Sequence, residues 1–191
     1  MEKRALTSNE PTTAELLDQC SRGDREAMHT FYVENQRCVF SIALNYFGGR
    51  REIAEDVTQK VFLKIFTNCS FRGDSKLSTW LYRVTVNACT DEARKLNRFV
   101  DLAGVLTFGE PKGGEVQQLM TESEEISGVV AAQIAKLRPK LRAPIVLKYV
   151  EGLSYNEIAE VLGCSIGTVA SRMNRGHKQL AARLEHLRDA I

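Results

Sequence analysis

The sequence predicts an all-α protein of two small helical domains joined by a flexible linker, the C-terminal one containing a helix-turn-helix. Three observations predict it. Apolar residues recur at helical spacing along most of the chain, two helix starts flank a glycine turn between Ser154 and Leu184, and composition shifts at residues 99–126 to a Gly-rich, acidic stretch with Pro111. The expected units are therefore residues 1–98, an acidic linker 99–126, and residues 127–191.

Composition sets the function classes. The chain has 191 residues, of which 43% are hydrophobic and 26% charged, ordinary values for a soluble globular protein. Its 26 basic and 24 acidic residues leave a net charge of only +2, so any affinity for nucleic acid has to come from local basic patches. Cys20, Cys38, Cys69, Cys89 and Cys164 are odd in number, scattered and without a CxxC pair, which predicts incidental thiols and no disulfide framework or zinc knuckle. His29, His177 and His186 lack ligand spacing. With no phosphate-binding glycine loop, nucleophile elbow or HExxH, the expectation is a non-enzyme with no catalytic residue, cofactor, metal or small-molecule substrate. No apolar run approaches a bilayer span and MEKRALTSNEPTT lacks the apolar core of a signal peptide, which places the expected location in the cytoplasm.

In chain order, residues 1–12 are polar and form a loose tail. A short helix runs from Ala14 to Ser21 around Leu16 and Leu17, Gly23 ends it, and Asp24 caps a longer helix to about Phe47 through Ala27, Phe31, Val39, Ile42, Ala43 and Tyr46. Gly48-Gly49 breaks the chain. From Arg51 to Phe66 the apolar positions again hold a helical period, and Asp56, Gln59, Lys60 and Leu63 share another face on which an exposed leucine hints at a partner. Asn68–Lys76 is turn chemistry, followed by a helix from about Leu77 to Arg98. Beyond the linker, Ile126–Leu137 is helical, Pro139 interrupts, and Ala143–Glu151 tolerates Pro144 near its first turn.

The last pair of helices carries the clearest chemistry. Ser154 and Glu157 make a capping box, Gly163 supplies the turn, and Ser165 caps a second helix from Ile166. Ile158, Ala159, Leu162, Val169 and Met173 fall on the inward faces. Outward lie Thr168, Ser171, Arg172, Asn174, Arg175 and Lys178, and no carboxylate occurs between Ser165 and Leu184. Such a face suits a helix lying against phosphates, so the pair is read as a DNA-recognition unit. A helix-turn-helix alone fits a repressor, an activator or a response-regulator output domain equally well.

A second stretch, Phe71 to Arg83 (FRGDSKLSTWLYR), sets aromatics and cations beside a loop that opens a helix. Aromatic faces stack on unpaired bases while cations follow phosphates, an arrangement for single-stranded nucleic acid. The same spacing also fits a core role for Trp80, Leu81 and Val84, and the residues alone leave both readings open.

With these motifs together, the sequence resembles the bacterial sigma-70-type initiation factors of the small extracytoplasmic-function group. AEDVTQKVFLKIF (54–66), FRGDSKLSTWLYRVTVNA (71–88) and YVEGLSYNEIAEVLGCSIGTVASRMNRG (149–176) resemble the family's second and fourth regions, in the right order and joined by a linker. The resemblance implies a subunit that binds core RNA polymerase, through the beta-prime clamp helices and the beta flap, and directs it to promoter DNA. It places Asp56, Gln59 and Leu63 at the clamp-docking positions. It places Phe71, Arg72, Lys76, Thr79, Trp80, Arg83 and Asn87 at the −10 element, where a non-template base is flipped and captured. In the fourth region it sets Ser171, Asn174 and Arg175 against −35 base edges, with Thr168, Arg172 and Lys178 on the backbone. A membrane-anchored anti-sigma factor, holding the protein inactive at the inner membrane, is also implied. The sequence departs from the family pattern at Lys60, commonly acidic, and at Ala170 and His177, commonly basic, which implies a weak hold on DNA by this domain alone.

Overall fold

A computed structural model describes residues 13–67, 71, 73–103 and 122–188. The described residues form eight helices and no strand: α1 (Thr13–Ser21), α2 (Arg25–Tyr46), α3 (Arg51–Thr67), α4 (Leu77–Ala103), α5 (Glu122–Ala135), α6 (Pro139–Tyr149), α7 (Tyr155–Leu162) and α8 (Ile166–Arg188). Local chemistry sets most of the boundaries. Asp24 Oδ1 accepts from the Glu26 and Ala27 amides at 2.9 and 3.1 Å, satisfying donors that the first turn of α2 leaves free.

α1–α4 build the N-terminal unit. Phe31, Val39, Ile42, Ala43 and Tyr46 of α2 are buried against α3 and α4, as their spacing predicts. Phe31 meets Phe62 and Phe66 edge-on with ring centroids 6.3 and 6.4 Å apart, a favoured aromatic geometry. α5–α8 build the C-terminal unit around Leu137, Ile145, Leu147, Ile158, Val169 and Met173. α8 crosses α6 closely at Gly176, where a Cβ would overlap the Ile145 Cδ1 methyl and force that side chain to shift.

Several expected boundaries move. α4 continues to Ala103 and α5 begins at Glu122, so the span expected as linker, 99–126, is helical at both ends, while 104–121 and the expected tail 1–12 lie outside the described residues. Pro139 starts α6 as its first residue, where a missing N–H costs nothing, with Arg138 extended before it. Pro144 is consequently interior to α6, and the first-turn explanation of its tolerance does not hold. The sequence leaves the placement of the two units open; in the structure α5, α6 and α7 pack against α2 and α4.

Candidate nucleic-acid interface

The helix-turn-helix is built as its sequence dictates. The Ser154 Oγ accepts from the Glu157 amide at 3.3 Å while Glu157 Oε2 accepts from the Ser154 amide at 2.8 Å, a reciprocal box that starts α7. Gly163 takes a left-handed φ of 59°, and its amide and that of Cys164 close the end of α7 on Ala159 and Glu160 carbonyls. Ser165 Oγ then accepts from the Thr168 amide at 3.2 Å and starts α8. Ile158, Ala159, Val169 and Met173 are buried as expected; Val161 is buried too, whereas Leu162 is half-buried.

On α8, Ser171, Asn174, Arg175 and Lys178 are exposed at i, i+3, i+4 and i+7 and form one continuous face. Arg175 Nη2 donates to Ser171 Oγ at 2.8 Å, so the guanidinium lies along the helix at the centre of that face. Thr168 and Arg172 are half-buried at its edge: the Thr168 hydroxyl lies 2.9 Å from Ser165 Oγ, and Arg172 Nη1 reaches back to Cys164 Sγ at 3.8 Å. His177 is paired with Tyr149, whose hydroxyl lies 3.0 Å from Nε2. That pair was not legible in the sequence, because it depends on how α6 crosses α8.

At the start of α4, the Phe71 ring meets Trp80 edge-on at 5.4 Å and 63°. Trp80 is 7% exposed and Thr79 5%, so in this arrangement the indole is packed into the N-terminal core, the role its helical spacing also allows. Lys76, Arg83 and Asn87 are exposed along the same side of α4, Phe71 is half-buried, and Arg72 lies outside the described residues. Arg83 is engaged: its Nη2 and Nε donate to the Glu160 and Val161 carbonyls of α7 at 2.7 and 3.2 Å.

The third face belongs to α3. Asp56, Gln59 and Leu63 are exposed, Leu63 at 65%. Lys60 does not extend that face but pairs with Glu92 of α4 at 2.6 Å, which accounts for a cation where the family pattern has an acid. Beside Gln59 a groove of about 640 Å³ opens between α2 and α3, lined by Tyr32, Val33, Phe40, Arg51 and Glu55. Exposed Tyr32 and Val33 went unread in the sequence, although their position beside core Phe31 marks them as off the buried stripe. Burial pushes the Cys89 thiol up to about 12, and burial with Glu151 nearby does the same for Cys38, which keeps both protonated at neutral pH. Among the described residues no group of His, Cys, Asp or Glu is arranged to hold a metal ion, and no helix is long and apolar enough to cross a membrane.

A helical unit followed by a helix-turn-helix unit, whose second helix carries no acid from the Ser165 cap to Leu184, defines a class of two-unit, multi-helical proteins, and comparison with known proteins narrows it. Residues 31–99 match the Sigma-70 region 2 model and residues 127–180 the Sigma-70, region 4 model. The ECF RNA polymerase sigma-E factor of Escherichia coli (strain K12) is 31% identical over 189 residues, covering 94% of this chain and 98% of that protein. The ECF RNA polymerase sigma factor SigW of Bacillus subtilis (strain 168) is 32% identical over 180 residues, covering 90% and 96%. Two solved structures share the fold. RpoE in complex with the anti-sigma factor NepR from Bartonella quintana matches with a TM-score of 0.63 at 23% identity, over 82% of this chain and 96% of that one. CnrH in complex with the cytosolic domain of CnrY matches with a TM-score of 0.60 at 24% identity, over 90% and 96%. The chain belongs to the extracytoplasmic-function group of the sigma-70 family and is an RNA polymerase sigma factor.

Proposed function

We propose that this factor joins core RNA polymerase through α3, reads a −35 duplex with α8 and captures the melted −10 non-template strand with the loop and first turns of α4. The observation that carries the reading is the exposed row Ser171, Asn174, Arg175 and Lys178, set on a helix whose first twenty residues from the Ser165 cap carry no acid. An arginine at the centre of that row suits the acceptors of a guanine edge and the neighbouring Asn174 suits adenine, while Thr168, Arg172 and Lys178 suit phosphates. Asp56, Gln59 and Leu63 offer the polymerase clamp helices a polar face with one apolar anchor, and the C-terminal unit is assigned to the beta flap. Lys76, Arg83 and Asn87, with Phe71 and Arg72 at the loop, are assigned to the −10 strand; Thr79 and Trp80 support that surface from beneath.

The factor works in the cytoplasm and is held inactive by an anti-sigma factor, anchored in the inner membrane, that covers these faces. Support comes from the two solved fold neighbours, whose structures are complexes with NepR, an anti-sigma factor, and with the cytosolic domain of CnrY. A gel shift separates this account from an autonomous repressor. With a pool of duplexes randomised over about 60 base pairs, shifted DNA is expected only when core polymerase is present; tight binding to a palindrome by the chain alone would refute the assignment.

A further inference from the structure

The outer side of the first turn of α8 is apolar. Ile166, the first residue of the helix, is 50% exposed, and Ala170 stands exposed one turn on. Local structure does not call for an isoleucine there. Ser165 already caps the helix, its Oγ accepting from the Thr168 amide at 3.2 Å, and a first turn favours acidic side chains, which complement the positive end of the helix dipole. A β-branched side chain also loses rotamer freedom in a helix. The Ser165 and Thr168 hydroxyls lie 2.9 Å apart and engage each other, leaving Ile166 as the turn's large projecting group.

Position along the helix gives that side chain a use. At 3.6 residues per turn Ile166, Ala170 and Asn174 fall on one line, the flank of the exposed row Ser171, Asn174, Arg175 and Lys178. A recognition helix in the major groove sets its N-terminal residues against base edges, so Ile166 and Ala170 enter the groove together with Asn174 and Arg175. Gly167 keeps the approach open, since a Cβ there would meet nothing nearer than Ser165 Oγ at 4.0 Å.

Of the four base edges in that groove, thymine alone presents a methyl group. An isoleucine and an alanine can bury that methyl, but they leave an amino group or a ring nitrogen desolvated without a partner. Resting on the −35 reading above, we propose that Ile166, with Ala170 beside it, reads the C5-methyl group of a thymine in the −35 element. The rise of 1.5 Å per residue puts Ile166 about 13 Å from Arg175 along the helix, roughly four base pairs at 3.4 Å each. Thymine is therefore selected about two to five base pairs from the pair that Arg175 governs.

The test removes the methyl group and nothing else. Holoenzyme assembled from core polymerase and the full chain selects duplexes from a pool randomised over the upstream element, and the best duplex is remade with each thymine in turn replaced by deoxyuridine. At one thymine the deoxyuridine duplex should be retained about four-fold less well, the effect of one buried methyl group. With Ile166→Ala the two duplexes should be retained equally, while Ile166→Val, which keeps the branched end, should still discriminate at least two-fold. Should Ile166→Ala lose helix by circular dichroism, Ile166→Gln decides, since it has similar reach and a polar end. Arg175→Ala should alter preference at a different pair. A selected element in which every thymine tolerates deoxyuridine, or a folded Ile166→Ala or Ile166→Gln chain that still discriminates, overturns the proposal and leaves the −35 reading standing. A pool that yields no selected upstream base defeats the −35 reading itself, and this proposal with it.

Discussion

Replacing Arg142 by methionine keeps most of the aliphatic volume and removes every hydrogen bond that the guanidinium makes to Tyr46 O, Ala135 O and Leu137 O. Three carbonyls lose a donor at a net cost of about 1 kcal/mol each, and the desolvated contact with the Tyr46 ring contributes about 2 kcal/mol more. Against this, the variant no longer desolvates a cation, a burden that offsets part of the loss. The balance is a destabilisation of about 2–3 kcal/mol; at a slope of about 2 kcal/mol per molar urea the midpoint falls by roughly 1–1.5 M. Trp80, the chain's single tryptophan, reports the N-terminal unit by fluorescence, while circular dichroism reports both. The two curves should coincide in the parent and separate in Arg142→Met, with Arg142→Lys in between because an ammonium keeps the charge but not the planar fork. A midpoint shift below about 0.3 M, with curves still coincident, would mean that water replaces the guanidinium freely and that Arg142 does not tie α6 to the end of α2.

Other substitutions probe the remaining faces. Leu63→Glu, at a side chain 65% exposed, should leave unfolding unchanged and weaken retention of core polymerase in a pull-down at least ten-fold; equal retention would remove α3 from the docking surface. Arg175→Ala should cost about 1–3 kcal/mol at the −35 duplex and relax base preference there, whereas a uniform loss over all −35 sequences would make Arg175 a phosphate contact. Ser154→Ala should cost the C-terminal unit about 1 kcal/mol by chemical denaturation. Hydrogen bonds from Ser154 hold the Glu157 carboxyl below its ordinary range. The parent's advantage over Ser154→Ala should therefore be complete at neutral pH and fade as acid protonates Glu157; an advantage that grew in acid would contradict the box.

Legibility followed the range of the interaction. The capping box at Ser154, the left-handed Gly163 and the caps at Asp24 and Ser165 are settled within four residues, and all were readable from spacing. The periodicity of α2 likewise named its buried residues. What failed involved a choice between local signals or a partner far along the chain. Pro139 serves equally to stop a helix or to start one, and only packing of Leu141 and Arg142 decides for a start. Lys60 looked like an anomaly on the α3 face until α4 brought Glu92 to it. Trp80 had the right spacing for a core residue and the right neighbours for a stacking platform, and its burial places it in the core of this arrangement. Arg142 carried no signal at all, since a lone arginine in a helix gives no hint that the end of α2 lies over it.

Sequencing the 5′ ends of transcripts made by core polymerase with this chain, on templates randomised over about 60 base pairs, tests promoter selection itself. The account predicts start sites preceded by two shared elements at fixed spacing, with Arg175→Ala erasing preference in the upstream element alone. Transcripts that start without any shared element, or no transcripts despite stable binding to polymerase, would contradict it.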